Sequence, residues 1–219
     1  MTNFSCLAGY RENWSFFVPF WNCCAFSYVL LLYGITNKSR KYMNQQKWII
    51  DPDHSGVQFK IKHLVISDVT GAFNNFNGGA TFSDPQQIDN AEVHFSLDVH
   101  SIDTNQEDRD THLKSTDFFD AAHFPHITFQ SAYLRKMKDD KYSLAGTLTM
   151  KGVSRPIELE AEYGGMAVDM YGKKKIGFEV KGNISRWEFG LTYNKVLEAG
   201  GLLLGEDVRL EANIQLVEA

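Results

Sequence analysis

Four stretches of this chain alternate apolar and polar residues with a period of two, and that pattern restricts the fold more than any other feature. Val57, Phe59, Ile61 and His63 interleave with Gln58, Lys60 and Lys62. Val93, Phe95, Leu97 and Val99 interleave with polar partners, as do Ile157, Leu159, Ala161 and Tyr163 with Glu158, Glu160 and Glu162. The last stretch runs Val208, Leu210, Ala212, Ile214, Leu216. A strand that turns alternate side chains to opposite faces produces this pattern when one face is wet, which is the signature of antiparallel sheet. Further strands are expected near Thr70–Phe82, Ile127–Met137, Tyr142–Met150 and Lys175–Trp187. Asp139-Asp140, Lys151-Gly152, Gly164-Gly165 and Gly172 read as the turns between them. The expected fold class is all-β. About eight strands joined by short turns predict an antiparallel up-and-down barrel, whose interior is either filled or left open for one small ligand.

The chain divides at Met43. Residues 1–42 hold all three cysteines, Cys6, Cys23 and Cys24, and carry Arg11, Lys38, Arg40 and Lys41 against Glu12, a net charge of +3. The whole chain is −5, so residues 43–219 are −8. A domain so acidic is a poor match for nucleic acid, which binds basic surfaces that displace its counterions. Without cysteine, residues 43–219 can form neither a disulfide nor a zinc–thiolate site. Phe16–Ile35 is 20 residues long without a charge, the length of a membrane span, although Pro19, Asn22 and Ser27 interrupt it. Its positive cluster, Lys38–Lys41, follows the apolar run, whereas an export signal places it before. Three readings stay open: an upstream extension ahead of a true start at Met43, a membrane contact through residues 16–35, or an export signal with a periplasmic product. If the segment spans, the positive-inside rule leaves the remainder cytoplasmic, and cytoplasmic is the expected location.

One long polar excursion breaks the strands, from Ser101 to Phe129. Thr104 and Glu107 have capping-box spacing and predict a short helical insert, and Leu113, Phe118 and Phe119 give it an apolar face. Within it, Arg109 and His112 are the head-group candidates, since arginine can fork onto an oxyanion and histidine can donate a further bond. The competing reading is structural, with Arg109 paired to Asp103, Asp108 or Asp110. No HExxH or three-histidine spacing is present, so no metal is expected. A GxSxG elbow and a dinucleotide loop are absent too, and no cofactor is expected. The candidate cavity wall is apolar: Phe59, Ile61, Phe73, Phe82, Phe95, Leu97, Phe118, Phe119, Phe129 and Phe178. Such a wall gains about 0.8 kcal/mol for each methylene it takes from water.

Several ordered blocks carry a family resemblance: WIIDPDHSGVQFKIKHL from Trp48, VTGAFNNFNG from Val69 and SIDTNQEDRDTHLKSTDFFD from Ser101. FPHITFQS follows from Phe124, GTLTMKGVSRPIEL from Gly146, ISRWEFGL from Ile184 and GEDVRLEANIQL from Gly205. In number, order and spacing they make residues 47–218 resemble the YceI-like, polyisoprenoid-binding family. The resemblance implies a lipocalin-like barrel with an apolar channel for an isoprenoid chain, such as a quinone tail or a polyprenyl phosphate. It implies a binding or carrier protein and not an enzyme. The partners expected are an isoprenoid lipid or quinone, and a second copy in a homodimer. Two rivals are an isoprenoid-modifying enzyme using Arg109 and His112, and a stress or interaction protein whose barrel is filled. Because strand signals begin only near Trp48, a chain shortened to start at Met43 is expected to stay soluble with an unchanged melting temperature. Loss of folding in a thermal melt would show that residues 1–42 pack on the barrel.

Overall fold

The computed structural model describes residues 45–84, 88–89, 91–195 and 202–219; the aromatic run Phe16–Ile35 lies outside them. Eleven strands follow in chain order: β1 Gln46–Ile50, β2 Gly56–His63, β3 Ser67–Phe73, β4 Phe76–Phe82, β5 Glu92–Asp98 and β6 Ile102–Asp103. Then come helix α1 Glu107–Lys114 and strands β7 His126–Lys136, β8 Lys141–Met150, β9 Val153–Val168, β10 Lys174–Ser185 and β11 Leu204–Glu218. Every pairing is antiparallel. Strands β1, β4, β5, β7, β8, β9, β10 and β11 form a closed eight-stranded ring, in which β11 returns to β1. The fold is therefore the all-β, up-and-down barrel that the alternation predicts.

The first three strands of the barrel are each broken once. β1 and β2 are separated by a 3-10 turn at Pro52–His54, β3 and β4 by Asn74-Asn75, and β5 and β6 by a second 3-10 turn at Val99–Ser101. The sequence predicts one strand over Thr70–Phe82, and the break at Asn74-Asn75 corrects it. Past the breaks, β2 pairs with β11, β3 with β2 and β6 with β3, so the barrel extends beyond the closed ring. The polar groups freed at the breaks bond across them. Asp98 N donates to Asn75 O at 2.9 Å, Asn74 N to Ser101 O at 3.2 Å, and Val99 N to Pro125 O at 2.8 Å. Buried backbone groups left unpaired would make such corners costly.

Two further expectations are corrected. Gly164-Gly165 is a β-bulge inside β9 and not a turn. Gly165 faces Gly177 while Tyr163 faces Phe178, which leaves Gly164 as the extra residue. The φ of +105° at Gly165 is one that a Cβ disfavours. At the start of α1, Gln106 is the N-cap and its side chain accepts from Arg109 N. Thr104 does not cap the helix because Asp110 occupies it, with the Thr104 hydroxyl donating to Asp110 Oδ1 at 2.5 Å.

Inward side chains form one core. Trp48 and Ile176 are fully buried, and Trp48 stacks on Phe82 with ring centroids 5.4 Å apart. Gly71 lies directly across from Phe59, whose ring fills the space where a Cβ would stand, 2.4 Å from Phe59 Cζ. That close approach sets the position of the Phe59 ring inside the barrel.

The first break is fixed by Asp51. Its Oδ2 accepts from Lys175 Nζ at 2.9 Å and Gln215 Nε2 at 3.0 Å, and His54 Nδ1 lies 3.0 Å away. The Lys175 hydrogen bond is the main cause holding the Asp51 pKa at about 2, below its ordinary 3.8. A carboxylate held low stabilises the folded chain fully above its unfolded pKa. That contribution fades as pH falls from about 4 towards about 2. Asp51→Asn is expected to cost on the order of 1 kcal/mol at pH 7, discounted for partial exposure, with the difference from wild type gone near pH 2. Urea melts at the two pH values check this; an equal loss at both would show that the carboxylate charge is not what fixes the break.

Candidate functional site

The described residues enclose two chambers in the barrel interior. The first, about 190 Å³, lies within the closed ring. Phe82, Phe95, Leu97, Phe129 and Phe178 line it, with Leu134, Leu144 and Leu148 from β7 and β8. The second, about 330 Å³, lies beyond the breaks, beneath α1. Ile61, Phe118, Phe119, Arg109 and His112 line it. Phe59, Phe73, Ile127, Met150 and Leu210 line both chambers and form the waist between them. All ten wall residues singled out in the sequence therefore lie on the cavity lining, and so do Arg109 and His112.

Aromatic packing ties the insert to the barrel at the waist. The Phe59 and Phe73 centroids are 5.6 Å apart, and Phe119 meets Phe73 edge-on at 6.1 Å. Phe118, His112 and Tyr193 form a second group, with centroids 4.8 to 5.1 Å apart. His112 Nε2 lies 2.9 Å from Asp117 Oδ2, which holds the ring edge-on to both neighbours. Such pairs add about 0.5–1.5 kcal/mol each beyond the area they bury.

Arg109 forms no ion pair with Asp103, Asp108 or Asp110, contrary to the structural reading of the sequence. Its Nε donates to Thr104 Oγ1 at 2.7 Å and its Nη2 to Thr104 O at 2.6 Å. Asp110 instead accepts from Thr104 N at 2.9 Å and from the Thr104 hydroxyl. Thr104 thus links the arginine to the carboxylate, and among the described residues the guanidinium has no direct counterion.

The chambers differ in chemistry. The first is walled mainly by aliphatic and aromatic groups, with Gln58, His94, Thr128, Lys181 and Glu211 also on its lining. The second gathers His63, Arg109, His112, Arg186, Tyr193 and Lys195, and no carboxylate among the described residues lines it. Three of these six were not singled out from the sequence: Arg186, Tyr193 and Lys195. Arg186 is only 2% exposed. The sequence signal for it is faint: an arginine two residues after Ile184, where a strand gives way to an apolar turn. Among the described residues no cluster of three or more histidine, cysteine or acidic groups could hold a metal, and no helix is long and apolar enough to cross a membrane.

Known proteins share both the sequence and this architecture. A UPF0312 protein of Yersinia pestis is 39% identical over 139 residues, covering 64% of this chain and 71% of the relative. A UPF0312 protein of Staphylococcus epidermidis is 35% identical over 170 residues, covering 77% and 96%. The crystal structure of a Campylobacter jejuni YceI protein is 35% identical, covers 73% of this chain and 91% of its own, and superposes with a TM-score of 0.63. A polyisoprenoid binding domain from Saccharophagus degradans, at 16% identity, shares the fold with a TM-score of 0.60 over 78% of this chain and 98% of its own. The YceI-like domain family matches residues 48–216, nearly the whole barrel from Trp48 to Leu216, and the chain belongs to that family.

Proposed function

We propose that the protein binds and carries isoprenoid lipids, with the chain in the first chamber and the polar head in the second. The carrying observation is the change of chemistry between two chambers that share five wall residues, from an almost wholly apolar lining to one that gathers cations. An amphiphile with one long apolar chain and one polar end has the same order. Each methylene transferred into the first chamber contributes about 0.8 kcal/mol, so affinity grows with chain length without any polar contact there. The Saccharophagus degradans neighbour, described as a polyisoprenoid binding domain, supports the same ligand class. A quinone tail and a polyprenyl phosphate are the two candidates within it.

Arg109 and His112 are proposed to face the head group. Both line the second chamber from α1, and Arg109 has no direct counterion among the described residues. The insert that carries them would have to move or flex for a ligand to pass, which gives α1 the role of a gate. Transfer and storage of the lipid, without chemistry on it, is the role assigned. If Phe16–Ile35 spans a membrane, the positive cluster Lys38–Lys41 that follows it supports a cytoplasmic barrel.

Gently purified protein is expected to release a long isoprenoid on lipid extraction, detected by mass spectrometry and by the mass of the intact complex. Protein that carries no such lipid, and takes none up when offered, would leave the filled-barrel reading. A wall variant gives a sharper outcome. Phe95 lines the first chamber and stacks near Phe76, with centroids 6.0 Å apart. Phe95→Trp adds volume there and is expected to shorten the longest chain accommodated. An unchanged length preference in a series of isoprenoid alcohols would show that this wall does not touch the ligand.

A further inference from the structure

Arg186 stands where β10 ends and a 3-10 turn, Arg186–Phe189, begins. Its side chain is held by backbone carbonyls from two separate segments. Nε donates to Gly205 O at 2.8 Å, and Nη1 donates to Leu191 O and to Tyr193 O, the latter at 2.9 Å. Nη2 is buried and meets no acceptor among the described residues. The same residue lines the second chamber.

A guanidinium buried in this way is costly unless something answers its charge. No carboxylate among the described residues forms an ion pair with it. The acid that acts on it from a distance, Glu206, accepts from Ser185 Oγ at 2.9 Å. Burial pushes the guanidinium pKa below its ordinary value. The backbone carbonyls fix the orientation of the fork, so Nη2 is a donor whose ordering cost is already met. The chamber lining adds Arg109, Lys195, His63 and His112 and, among the described residues, no acid. A neutral carbonyl would satisfy one hydrogen bond; an oxyanion would satisfy the bond and the field together.

We propose that Arg186 Nη2 is the buried anchor for an oxyanion head group, phosphate or carboxylate, and that the second chamber selects acidic over neutral isoprenoids. This rests on the lipid-binding reading above and narrows its ligand class. The selection comes from a side chain that packing has placed in advance, with Arg109 at the outer edge closing on the same oxygen cluster.

The test compares three probes of one chain length on the full protein: geranylgeranyl monophosphate, geranylgeranoic acid and geranylgeraniol. At least one of the acidic probes is expected to bind tenfold or more tighter than the alcohol, as a charge-assisted hydrogen bond requires. Comparison of the two acids tells which oxyanion the chamber takes. Arg186→Lys is expected to erase that preference, weakening the preferred acid tenfold or more beyond any loss for the alcohol. Equal weakening for all three probes in the variant would make Arg186 a structural residue and overturn the inference. Should the variant fail to fold, nitrogen-15 spectra of the arginine side chains in the wild-type protein decide. The Arg186 resonances are expected to move with the preferred acid and not with geranylgeraniol, and resonances that stay in place overturn the inference. Equal affinity of the wild type for all three probes sinks the head-group selection alone. Binding of none of them sinks the lipid reading and this inference with it.

Discussion

Strand β11 closes the barrel, and the remaining structure depends on how it does so. Along one edge it pairs first with β2, through Leu204–Asn213, and then with β1, through Leu216–Glu218. The two partners are halves of one broken strand, and the break is absorbed by the turn at Pro52–His54. Gln215 sits in the gap. Its N–H donates to Ser55 Oγ at 2.9 Å, its carbonyl accepts from Asp51 N at 2.8 Å, and its side chain reaches the Asp51 carboxylate. Without that set of bonds the ring would close at one end only. The open end would expose unpaired strand edges, which invite association.

Closing the ring this way also divides the interior. The breaks at Asp51–Ser55, Asn74-Asn75 and Val99–Ser101 fall in neighbouring strands, so the barrel changes direction along one line. The ring side of that line encloses the first chamber. On the other side, β2, β3 and the first part of β11 with α1 wall the second. The cationic groups Arg109, Arg186 and Lys195 gather beyond the line, because the chain there includes the insert and the loop from Arg186 to Lys195. The barrel thereby acquires a mainly apolar chamber and a cationic one without any change in the up-and-down order of strands.

Much of this was legible in the residues. Alternation alone sorts Phe59, Ile61, Phe95 and Leu97 to one face, and in a closed barrel that face is the cavity lining. Runs such as Lys141–Met150 and Val208–Leu216 add further wall positions by the same rule. The breaks were not legible, because Asn74-Asn75 and Val99–Ser101 contain neither glycine nor proline and their hydrogen bonds come from distant strands. Gly164-Gly165 misled because glycine pairs serve turns and bulges equally, and only the register against Gly177 distinguishes them. Thr104 misled because Asp110, six residues on, competes for the same hydroxyl. Arg186 was illegible for the strongest reason: the carbonyls that bury it belong to Leu191, Tyr193 and Gly205, and local sequence says nothing of where those groups converge.

The central claim is that a single amphiphile spans both chambers, chain inward and head outward. Paramagnetic NMR on an isoprenoid carrying a nitroxide at its tail end tests it most directly, with methyl-labelled leucines as reporters. The account predicts strong broadening at Leu134 and Leu144, which line the first chamber, and little at Leu113 and Leu191, which line the second. Broadening confined to Leu113 and Leu191, or absent from the cavity leucines altogether, would contradict it.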